Sequence, residues 1–233
     1  MSRAFDSLAD PVIGVDPLPA HLVAQPGLSR LARGWLWLGL LALAGSGVFA
    51  VLLVLSRTPQ LNQWLPVADF FRVALIVHVD LSVLVWLVSL AGLLWSLSGS
   101  TRAPGLAWLA LGLCSAGTVL MALAPFTGRS PAVMANYIPV VDGSMFITGL
   151  AVFGLGGATL VLRGLIATRP TGPGLAGEGA LRFGLNASVV AGAVAVLSFG
   201  ASLLLVPRSL DAQTYYEILF WGGGHALQFV WTL

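Results

Sequence analysis

The sequence has no lysine and a single cysteine, and only 9% of its 233 residues are charged, against 58% that are hydrophobic. A soluble domain carries about 25% charged residues, so most of this surface does not face water. The lone Cys114 lies in an apolar run, which excludes a disulfide scaffold and a thiolate zinc cluster. All eleven basic residues are arginines, which reads as coding bias more than mechanism. The net charge of +2 is spread over loops, with no basic patch to serve a nucleic acid.

Apolar sequence is abundant instead, with a mean hydropathy of +0.93. Six spans of membrane-crossing length can be drawn, at 35–55, 70–97, 105–124, 143–162, 183–206 and 215–233, each near the roughly 20 residues that a bilayer core demands. The expected fold is therefore all-α, a polytopic membrane helical bundle. Residues 1–34, with Asp6, Asp10 and Asp16, read as a polar cytoplasmic tail, since no apolar core directly follows Arg3 as it would in a cleavable signal peptide. Segment 163–182 is rich in glycine and proline, holds three arginines and reads as a polar loop.

Arginine placement sets the expected orientation. With a cytoplasmic N-terminus, the inner segments hold seven arginines and the outer ones hold Arg57, Arg72, Arg129 and Arg208, which favours N-inside in a bacterial inner membrane.

Two of the three histidines, His78 and His225, fall inside apolar spans. An ionisable side chain at membrane depth is costly and marks a functional position. In the N-inside arrangement the second and sixth spans run the same way, and both imidazoles sit roughly 12–15 Å below the outer boundary at 1.5 Å per residue. They could serve one site or two adjacent ones, or each could simply bond a neighbouring helix. On the helical face of His78 lie Ala74, Leu81, Ser82 and Val85, a small apolar surface with one hydroxyl able to orient the ring. Such a face suits a macrocycle whose iron takes an axial imidazole. Asp80 projects about 200° away from His78, a second buried ionisable group whose partner must lie on another helix. Asp69 and Arg72 read as a solvated, snorkelling pair. His225 shares its face with Trp221, Gln228, Phe229 and Thr232 and follows three glycines, Gly222 to Gly224, which permit close approach of a backbone or ligand. An imidazole without nearby carboxylate or thiolate suits copper or iron. His21, in the tail, reads as solvated.

The sequences LIVHVDLSVLVW around His78 and FWGGGHALQF around His225 together resemble the catalytic subunit of the haem–copper oxidase superfamily, and the connector NYIPVVD, Asn136 to Asp142, resembles its more divergent branches. The resemblance covers essentially the whole chain, as the first six helices of the family's roughly twelve-helix core. It implies that His78 is an axial ligand of a low-spin haem and that His225 is the first of three imidazoles on a copper facing a high-spin haem. The remaining ligands would come from later helices. It further implies electron delivery from cytochrome c or a similar donor, O2 reduced to water, accessory oxidase subunits, and a chain truncated within its sixth span at Leu233. Many oxygen-reducing members carry Pro-Glu-Val-Tyr after the copper-ligand histidine. Here those positions are Ala226, Leu227, Gln228 and Phe229, which keeps a nitric oxide reductase-like homologue open. Glu217, nearer the outer surface, is not a simple replacement for the missing glutamate. Two other classes remain: a six-helix haem-binding membrane protein without turnover, and a permease whose histidines and Asp80 relay protons.

Overall fold

The computed structural model describes residues 26–59, 70–128, 130–171 and 177–233. Apart from one two-residue strand pair, the regular structure is helical. Helix α1 spans Pro26–Ser56. A continuous rod follows from α2 (Phe70–Val79) through a π-helical turn (Asp80–Val85) into α3 (Trp86–Ser98). Then come α4 (Pro104–Leu123), α5 (Ser144–Ala167), α6 (Glu178–Leu205) and α7 (Ala212–Thr232).

Among the described residues six rods are thus present. Five of them are long and apolar enough to cross a membrane: Gly27–Ser56, Phe70–Ser98, Pro104–Phe126, Ser144–Ala167 and Gly179–Leu205. The sixth, α7, is 21 residues long but is not one of those five, because Gln213, Glu217, three glycines, His225 and Gln228 dilute its apolar character. The outer faces of the long helices are hydrocarbon; Leu197, Leu204 and Leu205 are 73%, 87% and 78% exposed. In water that exposure would cost about 25 cal/mol per Å², whereas in lipid it costs nothing.

Boundaries differ from the sequence expectation in two instructive places. Residues 26–34 are helical, not tail: Pro26 sits at the first helical position, where its missing N–H and fixed φ suit a helix start, and Leu28, Leu31 and Ala32 are buried. The expected loop at 163–182 is helical at both ends, since α5 continues to Ala167 and α6 starts at Glu178. Arg163, expected in that loop, is 1% exposed. Its Nη1 donates to Trp95 O at 3.0 Å and its Nη2 to Ser100 O at 2.8 Å, so the guanidinium adds a second donor to Trp95 O, which also accepts from Gly99 N–H, and satisfies a carbonyl just past the C-terminus of α3. His21 and Asp69 lie outside the described residues.

Close packing depends on glycine where rings or backbones meet. Gly92 on α3 seats the Trp35 indole of α1, and Gly117, Gly149 and Gly156 bring α4 and α5 to backbone contact, the small-residue packing characteristic of membrane helices. The connector between α4 and α5 turns back over one end of the bundle. Its strands β1 (Ala132–Val133) and β2 (Val140–Val141) pair antiparallel, and Val133, Ala135, Ile138, Val140 and Val141 are buried.

Candidate functional site

The π-helical turn begins two residues after His78. Such turns widen a helix locally and are frequent at functional positions. Opposite them, Ser46 of α1 grips the histidine. His78 Nδ1 lies 2.9 Å from Ser46 O and 2.9 Å from Ser46 Oγ, while Ser46 Oγ donates to His78 O at 3.0 Å. A carbonyl oxygen only accepts, so Nδ1 carries the proton and Nε2 keeps its lone pair. Among the described residues no group bonds Nε2. Ser82, the hydroxyl expected to orient the ring, instead donates to the main-chain oxygen of His78 at 2.8 Å. Its place is taken by Ser46, 32 residues earlier in the chain.

Asp80 is 2% exposed, and its Oδ2 has no hydrogen-bond partner among the described residues. No described residue supplies the partner on another helix that the sequence led one to expect.

His225 is held differently. Its Nδ1 lies 2.8 Å from Trp221 O one turn earlier, which again places the proton on Nδ1. Nε2 then accepts from the Tyr137 hydroxyl at 2.7 Å, and the ring lies between Trp221 and Tyr137, with centroids 4.4 Å and 4.7 Å away. The glycine triplet now has a reason: a Cβ at Gly224 would run into the Tyr137 ring, and one at Gly223 into the Phe199 ring. The connector is pinned to α7 along its length. Gln213 Nε2 donates to Met134 O at 3.0 Å, the Asn136 main-chain N–H to Glu217 Oε2 at 3.0 Å, and Tyr216 OH to Asp142 Oδ1 at 3.0 Å. Glu217 also accepts from the Asn136 amide. The imidazole nevertheless stands exposed on the flank of the bundle.

The two histidines therefore share no hydrogen-bonding partner; His78 is held by α1 and His225 by the connector. They are not at matched positions along their helices either. His78 is eight residues past Phe70, whereas His225 is thirteen past Ala212, or about 12 Å and 20 Å of helix. Among the described residues no three His, Cys, Asp or Glu side chains gather where they could hold a metal ion. Sequence reading missed Ser46 and Tyr137. Tyr137 stood in the NYIPVVD segment, but nothing in sequence order ties it to a histidine 88 positions away.

The fold and these sites define the class: an all-α integral membrane protein built from long apolar helices, with one oriented imidazole, His78, inside a candidate membrane span and another, His225, on α7. The chain is 29% identical to an uncharacterized protein of Rickettsia prowazekii (strain Madrid E), across 91% of its own length and 46% of that protein's. It is also 29% identical to an uncharacterized protein of Aquifex aeolicus (strain VF5), across 84% of its length and 49% of the relative's. The chain thus spans about half the length of the curated relatives it matches. No family model and no solved structure matches it.

Proposed function

We propose that this chain forms the first half of a haem–copper oxidase-like catalytic subunit, one that takes electrons from cytochrome c or a similar donor and reduces O2 to water. The observation that carries the reading is the state of His78: Nδ1–H is fixed on Ser46 O and Nε2 is left bare. Histidines that ligate metals generally donate their other ring N–H to a carbonyl or carboxylate, which fixes the tautomer and raises the basicity of the ligating nitrogen. A haem held on Nε2 would supply one-electron transfer. Within this chain Ser46 sets the ring's direction. The second axial ligand belongs to helices outside this half.

For copper, the described residues are insufficient. They offer one imidazole, His225, whose Nε2 is engaged by Tyr137, so no step through copper is derived. In the complete protein His225 would be one copper ligand among several. A relative length near twice that of this chain is consistent with a core of twice six helices.

The occupied Nε2 of His225 favours a second reading, a membrane haem-binding protein without turnover; a nitric oxide reductase-like reaction is a third. One experiment orders them. The full-length protein is purified, and its haem spectrum, copper content and consumption of O2 and of NO are measured. His78→Ala should abolish a low-spin bis-imidazole signal, while His225→Ala should keep that signal and lose copper and activity. Haem without copper or turnover in the wild type selects the binder. Unchanged haem, copper and activity in both variants refutes the ligand assignments.

A further inference from the structure

The connector between α4 and α5 has a fixed base and a tip fastened by side chains. Its base is the antiparallel pair Ala132–Val133 and Val140–Val141, closed by the Asp142 N–H on Pro131 O at 2.8 Å. Val133, Val140 and Val141 anchor that base by burial. The tip, residues 134–139, lies on α7. Among the described residues no backbone–backbone hydrogen bond joins the tip to α7. Main-chain ladders are indifferent to protons, whereas side-chain bonds depend on the charge state of their acceptors.

Glu217 is the acceptor that matters most. Its Oε2 accepts from the Asn136 main-chain N–H at 3.0 Å and its Oε1 from the Asn136 amide. An ionised carboxylate serves both donors. Once protonated, one oxygen carries a hydrogen that must turn away from the N–H it faces, and the charge assistance is lost. Asp142, at the other end of the base, accepts from Tyr216 OH at 3.0 Å and weakens in the same way. The Gln213 bond to Met134 O has no titratable partner. Glu217 is only partly buried, so a proton can reach it. Among the described residues, the other charged and titratable groups on the elements packed around it are Asp142 and Tyr137 on the connector, Asp211, Tyr215, Tyr216 and His225 on α7, Arg208 in the turn before α7, and Arg72 on α2.

We propose that residues 134–139 form an acid-released flap, latched on α7 while Glu217 is ionised and lifting about its strand base when Glu217 takes a proton. Lifting withdraws the Tyr137 ring from its bed on Gly224 and uncovers Nε2 of His225. It also draws Ile138 away from the apolar groove between α3, α5, α6 and α7 that this residue helps to line. The latch does not depend on haem or copper.

The test is amide hydrogen exchange, resolved to single residues, on the full-length protein in detergent between about pH 7.5 and about pH 4. Rates are expressed as protection relative to the free peptide at the same pH, which removes the intrinsic pH dependence of exchange. The Asn136 N–H reads the latch directly. In the wild type its protection should fall by about tenfold or more on acidification, the change expected when a charge-assisted hydrogen bond is lost. Asp142 N–H at the base and Leu219 N–H within α7 should keep theirs. Glu217→Gln, which retains one acceptor oxygen and no titrating group, should be less protected at neutral pH and should show no acid response. Asp211→Asn alters a carboxylate that caps α7 instead, and it should keep the wild-type response at Asn136. Constant Asn136 protection in the wild type overturns the proposal. So does loss at Asp142 and Leu219 together with Asn136, which is the mark of acid unfolding. An unaltered response in Glu217→Gln, or an abolished one in Asp211→Asn, overturns it as well. Haem content is read on the same samples, so failure of the flap and failure of the oxidase reading are told apart.

Discussion

Replacing Gly224 with alanine should show how tightly the connector is fastened over α7. Two effects oppose each other. Alanine in a helix interior gains about 1 kcal/mol over glycine. Against that, the new methyl group would run into Cγ, Cδ1 and Cβ of Tyr137. These are the near atoms of the side chain and not its flexible tip, so the ring cannot simply rotate clear. The connector backbone would have to move, and it is held by the Val133–Val140 pairing and by buried Val140 and Val141. Overpacking of this kind costs about 1–3 kcal/mol, and losing the Tyr137–His225 hydrogen bond adds about 0.5–1.5 kcal/mol. The clash wins, giving a net loss of about 0.5–3.5 kcal/mol. Gly47→Ala is the matched control: a Cβ there meets nothing within 4 Å, so only the helix gain of up to about 1 kcal/mol remains. Thermal unfolding in one detergent should place the two variants on opposite sides of wild type, several degrees apart at about 2–4 °C per kcal/mol. A Gly224→Ala midpoint at or above wild type would refute the contact between Tyr137 and the glycine triplet.

Two further outcomes follow from charged groups. Arg163→Met should destabilise by about 1–3 kcal/mol in the same thermal assay, because Ser100 O loses its donor and Trp95 O keeps only the Gly99 N–H; a change under about 0.5 kcal/mol would mean that Ser100 O finds another partner. Asp211 caps α7 by accepting from Thr214 N at 3.1 Å, and hydrogen bonds from Thr214 hold its carboxyl below the ordinary carboxylate value. Its contribution is therefore full above the unfolded-state value and is lost as pH falls through the lowered native one. Acid titration of α7 docking, followed by Trp221 fluorescence, should show a loss below about pH 4 that Asp211→Asn flattens; identical acid profiles would remove Asp211 from the cap.

Much of the architecture was legible in sequence order because membrane helices announce themselves locally. Composition gave an all-α chain in lipid, and the apolar runs gave six rods whose centres match those observed. The misplacements share one cause. Arg163 reads as a loop residue because charge is costly in lipid, and only the spatial approach of the Trp95 and Ser100 carbonyls makes its burial tolerable. Residues 26–34 read as tail because Arg30 and Arg33 mask the buried Leu28, Leu31 and Ala32.

The sequence by itself determined the solvent of this protein, the long apolar helices among the described residues and the two helices that carry an imidazole, since each follows from residues close together in the chain. Only the tertiary structure decided which nitrogen of each histidine carries the proton and what faces the other. Those outcomes depend on Ser46, 32 positions from His78, and Tyr137, 88 positions from His225. A tautomer is fixed by whatever donor or acceptor packing brings to the ring, and packing partners have no regular spacing along the chain.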